Sequence, residues 1–261
     1  MKKQAILVVS FGTSHTATRE KTIGALEKTL AESFPDRTFY RAWTSKVIIK
    51  KLRASGEKIL TVEEALQKAY EDGVKDLLVQ PTHIIPGQEY QLLREMLKVN
   101  ESKFDTIRLG KPLLSSDHDY RETAELMAKL YPKEEGTLTI LMGHGTERGD
   151  NTPYLEVRRY LKELQPSVLM GLVEANPDIN DILEELKEQT AAKKLRLAPF
   201  LIVAGDHAVR DMAGEEEDSW KNILGRAGYQ VECVLKGLGE YPEVRQLYVE
   251  RAKEAEALSA D

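Results

Sequence analysis

Two histidines and a glutamate each stand just beyond a separate apolar run. His144 follows Thr137–Met142, Glu174 follows Val168–Val173, and His207 follows the run ending at Ile202 after a Val-Ala-Gly-Asp loop. Ligands of open parallel sheets bind beyond the carboxyl ends of the strands, so this placement predicts three side chains at one rim. Two imidazoles and a carboxylate are a borderline donor set, suited to divalent cobalt, iron, nickel or zinc. Such a set leaves coordination positions open to a substrate. Gly143 and Gly145 flank His144 and permit a flat or bulky ligand to come close. A single histidine after a strand is usually a hydrogen-bonded loop residue; three donors at one predicted rim carry the weight here.

The chain also nearly repeats itself. Phe11-Gly-Thr13 lines up with His144-Gly-Thr146, and Pro81–Glu89 with Pro199–His207. Trp43 then matches Glu174, Phe11 faces His144, and Glu89 faces His207. The repeat predicts two similar halves, residues 1–133 and 134–261, with a cleft between them and the metal ligands in the second half. On the matching rim of the first half, Ser10, Phe11, Thr13, His83 and Glu89 are expected to bind substrate. Phe11 offers a planar ring that suits a planar ligand, although a core role fits that residue equally.

Alternating elements must position these residues. Strands are expected at Ala5–Ser10, Thr38–Ala42, Asp76–Pro81, Thr106–Leu109, Thr137–Met142, Val168–Val173, Leu195–Ile202 and Gln230–Leu235. Helical patterns lie between them, including Arg19–Ser33, Thr61–Asp72, Glu89–Asn100, Asn180–Gln189 and Pro242–Leu258. Regular strand–helix alternation predicts an α/β fold of two Rossmann-like halves, each a four-stranded parallel sheet flanked by helices. Gly73 and Gly228 are placed to close helices, and Pro242 to open one. Lys46, Lys50, Lys51 and Arg53 read first as a solvated helix face and second as a wall for a carboxylate-rich substrate.

The composition excludes several classes. With 41% hydrophobic residues among 261, the chain can bury a core. A net charge of −6 argues against nucleic-acid binding through a basic surface. Cys233 is the single cysteine, so neither an intrachain disulfide nor a cysteine-rich zinc site can form. The opening apolar run is too short for a signal peptide, and no run is long enough to span a membrane, so a cytoplasmic location is expected. No Walker-type nucleotide motif is present, and no organic cofactor is expected.

Several segments resemble one family. They are Ser10-Phe-Gly-Thr-Ser14, His83-Ile-Ile85, Gly87-Gln-Glu-Tyr90, Pro112-Leu-Leu-Ser-Ser116, Met142-Gly-His-Gly145, Val203–Gly214 followed by Glu217-Asp-Ser-Trp-Lys221, and Gly237-Leu-Gly239. In order and over essentially the whole chain, these resemble the anaerobic cobalt chelatases that act on sirohydrochlorin. The stretch around His207 is the most specific. The resemblance implies a class II, ATP-independent enzyme of the early-cobalt cobalamin pathway, with a tetrapyrrole held between two α/β halves. It also implies that His144, Glu174 and His207 hold the metal. Glu174-Ala-Asn-Pro177 departs from the family's aromatic-containing Glu-x-Tyr-Pro pattern.

The reaction so implied inserts cobalt(II), a substrate rather than a cofactor, and releases two protons. An imidazole titrating near ~6.5 can accept a proton at neutral pH. His144 is therefore expected to be the principal acceptor, with Glu174 assisting. An iron(II) chelatase using the same residues, a tetrapyrrole or metal carrier without turnover, and a metal-dependent hydrolase are the rival readings. The expected partners are the tetrapyrrole and the divalent metal, with no nucleic acid and no membrane; homo-oligomerisation is left open.

Overall fold

The computed structural model describes residues 3–188 and 192–258. In chain order the elements are β1 (Lys3–Ser10), α1 (Thr16–Arg19), α2 (Ala25–Ser33), β2 (Thr38–Trp43), α3 (Lys46–Ala54), α4 (Val62–Glu71), β3 (Val74–Pro81), α5 (Gln88–Asn100) and β4 (Thr106–Leu109). There follow α6 (Asp117–Leu130), β5 (Thr137–Gly143), α7 (Thr152–Leu164), β6 (Val168–Leu172), α8 (Ile179–Glu188) and β7 (Lys194–Pro199). The last elements are α9 (Trp220–Arg226), β8 (Gln230–Cys233), α10 (Pro242–Lys253) and β9 (Glu256–Ala257). π-helical turns occupy Glu20–Gly24 and His207–Met212. The expected helix Asn180–Gln189 is α8 as far as Glu188; Gln189 lies outside the described residues.

The strands form two sheets, ordered β2-β1-β3-β4-β9 and β6-β5-β7-β8. Apart from β9, the two orders are the same, so the sequence repeat is also a repeat of topology. Every pairing but β4–β9 is parallel. Parallel sheets carry helices on both faces, and their strands read as unbroken apolar runs. Ala5–Val9 is such a run, wholly buried. Ala5, Leu7 and Val9 share one core with Leu66 of α4 and Leu93 and Leu97 of α5. In the second sheet Ile140 and Met142 pack with Ile182 of α8 and Trp220 and Leu224 of α9.

Local chemistry sets the helix ends. The Thr61 hydroxyl accepts from the Glu64 amide while Glu64 accepts from the Thr61 amide, a reciprocal cap on α4. Ser45, Ser116 and Ser219 cap α3, α6 and α9. Gly73 and Gly228 follow α4 and α9 at φ +78° and +95°, a conformation that side chains with a Cβ rarely adopt.

Three features differ from the sequence reading. First, the first sheet has five strands rather than four. After α10 the chain returns along β4, placing Glu256 opposite Leu109 and Ala257 opposite Arg108, antiparallel. A strand of two residues shows no period-two pattern, and the helix expected to reach Leu258 ends at Lys253. Second, α3, read from its cations as a solvated helix face, also has a buried side, its Ile49 and Leu52 packed with Trp43 and Ile59. Third, the compact units do not divide at 133/134. One comprises the chain up to Ser115 with the part from Gly239 onward, the other Ser116–Leu238. The reason is packing: α6 lies on α7, whereas α10 lies on α2 and β3.

Tyr248 of α10 is fully buried, and its hydroxyl reaches the carbonyls of Thr82 and His83, 3.1 Å from each. This contact ties the last helix to the carboxyl end of β3. Tyr248→Phe deletes the donor and keeps the ring, and should cost roughly 1–3 kcal/mol of stability. Urea unfolding of both proteins checks this; an unchanged midpoint would show that the contact contributes nothing.

Candidate metal centre

The backbone ladder between β5 and β6 continues beyond both strands. The Val173 amide donates to the Gly143 carbonyl (3.0 Å), and the Glu174 amide donates to the His144 carbonyl (2.8 Å). His144 and Glu174 are thereby neighbours at the carboxyl rim of the second sheet. Behind them the Leu172 amide donates to the Pro177 carbonyl at 2.8 Å and closes the loop. The glycines around His144 are demanded by this closeness. A Cβ on Gly143 would lie 2.8 Å from Leu172 Cδ2, and one on Gly145 (φ +75°) would lie 3.1 Å from the Cβ atoms of Leu172 and Ala175.

His207 opens the π-helical turn that follows β7. Its ring meets that of His144 edge-on, with centroids 4.6 Å apart and planes at 85°. One donor atom from each of His144, Glu174 and His207 lies within 4.8 Å of the other two. The three side chains are 36–41% exposed, so the donors are open to an incoming ion.

Hydrogen bonds define which nitrogens are free. His144 Nδ1 is 2.8 Å from the Gly145 carbonyl, which can only accept, so Nδ1 is the donor, and in the neutral imidazole Nε2 keeps its lone pair. Glu174 Oε2 lies 3.5 Å from the same Nδ1. His207 Nδ1 is 2.6 Å from Asp211 Oδ2. The carboxylate on Nδ1, that of Asp211, stands four residues further along the chain and was not among the residues singled out in the sequence. The signal that could have found it is the four-residue spacing, visible only once His207 is known to start a helical turn.

Asn151 grips the Thr146 backbone from both sides: its Oδ1 accepts from the Thr146 amide (3.0 Å) and its Nδ2 donates to the Thr146 carbonyl (2.8 Å). A hollow of about 520 Å³ beside Glu174 is bordered by Thr146, Asn151, Leu155 and Asn176. Asn176 donates through Nδ2 to Asp181 at 2.7 Å and so fastens the loop to the start of α8.

The remaining expected site residues belong to the first unit. Ser10 is buried, and its Oγ accepts from Thr82 Oγ1 at 2.9 Å. Phe11 is 51% exposed, which removes a core role for it. Thr13 is buried, and its hydroxyl accepts from the His15 amide at 3.2 Å. The Thr44 and Ser45 amides donate to the Ser10 and Phe11 carbonyls, anchoring this loop to the start of α3. Trp43, the counterpart of Glu174, is a buried floor under Gly12, where an added Cβ would come within 2.6 Å of the indole. Glu89 lies in the first turn of α5 and is partly exposed. Both ring nitrogens of His83 are buried without a hydrogen-bond partner, and burial pushes its pKa down to about 4. In the basic run, Lys51 donates to Ser14, and Arg53 holds the Ile59 carbonyl and Glu64.

The sequence pattern of one family, cobalt chelatase (CbiK), matches residues 4–257. The chain belongs to this family. Among curated relatives of this chelatase is the sirohydrochlorin cobaltochelatase of Salmonella typhimurium, 37% identical over 255 residues that cover 97% of this chain and 96% of that protein. Sirohydrochlorin cobaltochelatase CbiKC of Nitratidesulfovibrio vulgaris is 32% identical over 245 residues, covering 92% and 86%. Among solved structures, SirB from Bacillus subtilis with Fe3+ aligns with a TM-score of 0.67 at 16% identity, over 97% of this chain and 95% of that one. At that identity the likeness establishes the chelatase fold alone.

The His83 environment has a pH consequence. Between its ordinary value of 6.5 and about 4, the unfolded imidazole binds a proton that the folded one refuses. The unfolded state therefore holds more protons, and stability falls as pH drops through that window. Urea midpoints measured across it should decline more steeply for the wild type than for His83→Gln. Parallel profiles would show that His83 does not titrate as its burial requires.

Proposed function

We propose that this chelatase inserts cobalt(II) into sirohydrochlorin, releases two protons, and uses no ATP. The observation that carries the reading is the cluster of His144, Glu174 and His207 at one sheet rim, with the His144 Nε2 lone pair free. Family membership supports the reaction class, and the names of the two curated relatives support cobalt and sirohydrochlorin as substrates.

The metal arrives as a hydrated dication. His144, Glu174 and His207 replace some of its waters and leave positions open for the pyrrole nitrogens. Two pyrrole N–H groups must lose protons for the ion to be bound in the ring. His144 Nε2 cannot hold the metal and accept a proton at once. It therefore accepts only after its metal bond has passed to a pyrrole nitrogen. Glu174 Oε2, close to His144 Nδ1, stabilises the imidazolium that results and carries the second proton toward solvent. Ser10, Phe11, Thr13, His83 and Glu89 bind the macrocycle. The exposed ring of Phe11 supplies an apolar face.

His144→Ala and His207→Ala should each lower the cobalt insertion rate by at least about a hundredfold, as expected when a general base or an orienting ligand is deleted. Circular dichroism should remain that of the wild type, because both side chains are partly exposed and neither belongs to the buried core. Near-normal turnover in either variant would refute the assignment.

A further inference from the structure

We propose that Asp211 is the positioning residue of the metal site: its carboxylate fixes His207 in the Nδ1–H tautomer and holds the ring so that Nε2 is presented to the ion. This inference rests on the preceding assignment of His207 as a ligand.

The geometry is specific. His207 Nδ1 and Asp211 Oδ2 are 2.6 Å apart, at the short end for a charge-assisted hydrogen bond. A carboxylate accepts and does not donate, so the shared hydrogen belongs to the imidazole. Neutral imidazole has one N–H and one lone pair, and fixing the N–H at Nδ1 leaves the lone pair at Nε2. A hydrogen bond of this kind also raises the basicity of the ligating nitrogen.

The local fold is built to hold the pair. Residues His207–Met212 form a π-helical turn, marked by the Ala213 amide donating to the Ala208 carbonyl at 3.2 Å. The Val209 amide donates to the Gly205 carbonyl (3.0 Å) and anchors the start of the turn. At its end the Gly214 amide donates to the Arg210 carbonyl (3.0 Å), in a place where a Cβ would lie 2.2 Å from that oxygen. Buried Ala208 and Met212 fasten the turn to the core, leaving His207 and Asp211 on its outer side. Without the carboxylate the ring would keep its position on the chain but lose its fixed rotation and tautomer. The fraction protonated at Nε2 could not bind metal. His144 differs in having a backbone carbonyl at the equivalent place, which no side-chain substitution removes.

The test is an anaerobic cobalt(II) titration of the full chain without tetrapyrrole, followed by the visible absorption of bound cobalt, in wild type, D211A, D211N and H207A. Loss of a carboxylate behind a ligating histidine typically weakens metal binding ten- to a hundredfold, and D211A should show that loss. D211N keeps an acceptor oxygen without the charge and should fall between D211A and wild type. At saturating cobalt the D211A band positions should match the wild type, because the same three donors bind, whereas those of H207A should differ. Wild-type affinity in D211A, with binding impaired in H207A, would overturn the role of Asp211 and leave the ligand assignment standing. Wild-type affinity in H207A would overturn the ligand assignment and this inference with it.

Discussion

Two backbone hydrogen bonds beyond the ends of β5 and β6 hold the candidate site together. Through them the Val173 and Glu174 amides meet the Gly143 and His144 carbonyls, and the positions of His144 and Glu174 become a property of the sheet. A parallel ladder is evenly spaced and its register is fixed by the buried faces on either side. The donors thus inherit the precision of the core rather than the freedom of a loop. Gly143 and Gly145 are the cost of that arrangement, since side chains there would force the two segments apart.

The third donor is delivered differently. His207 comes from a helical turn after β7, beside β5 in the sheet, and its orientation depends on a side chain rather than on the ladder. One rim therefore combines a rigid pair with a donor set by its own local hydrogen bond.

Much of this was legible in the residues. The three donors could be placed at one rim because each follows an apolar run, and the sheet orders bear out the repeat from which Phe11 and His144 were matched. The parts that escaped have physical causes. Glu256–Ala257 is too short to show a strand's alternation. The unit boundary depends on which elements α6 and α10 pack against, a tertiary choice that local pattern does not encode. Asp211 was passed over because a π-helical turn leaves no clear mark in composition. Trp43 matches Glu174 in the repeat yet is wholly buried, so matched positions need not share chemistry.

The most direct measurement of the central claim is the absorbance change when anaerobic sirohydrochlorin is mixed with cobalt(II) and a small fraction of an equivalent of protein, without nucleotide, against a metal-only control. The account predicts many equivalents of cobalt–tetrapyrrole per protein, formed well above the uncatalysed rate. A change that stops at one equivalent, or a rate equal to the control, would contradict it.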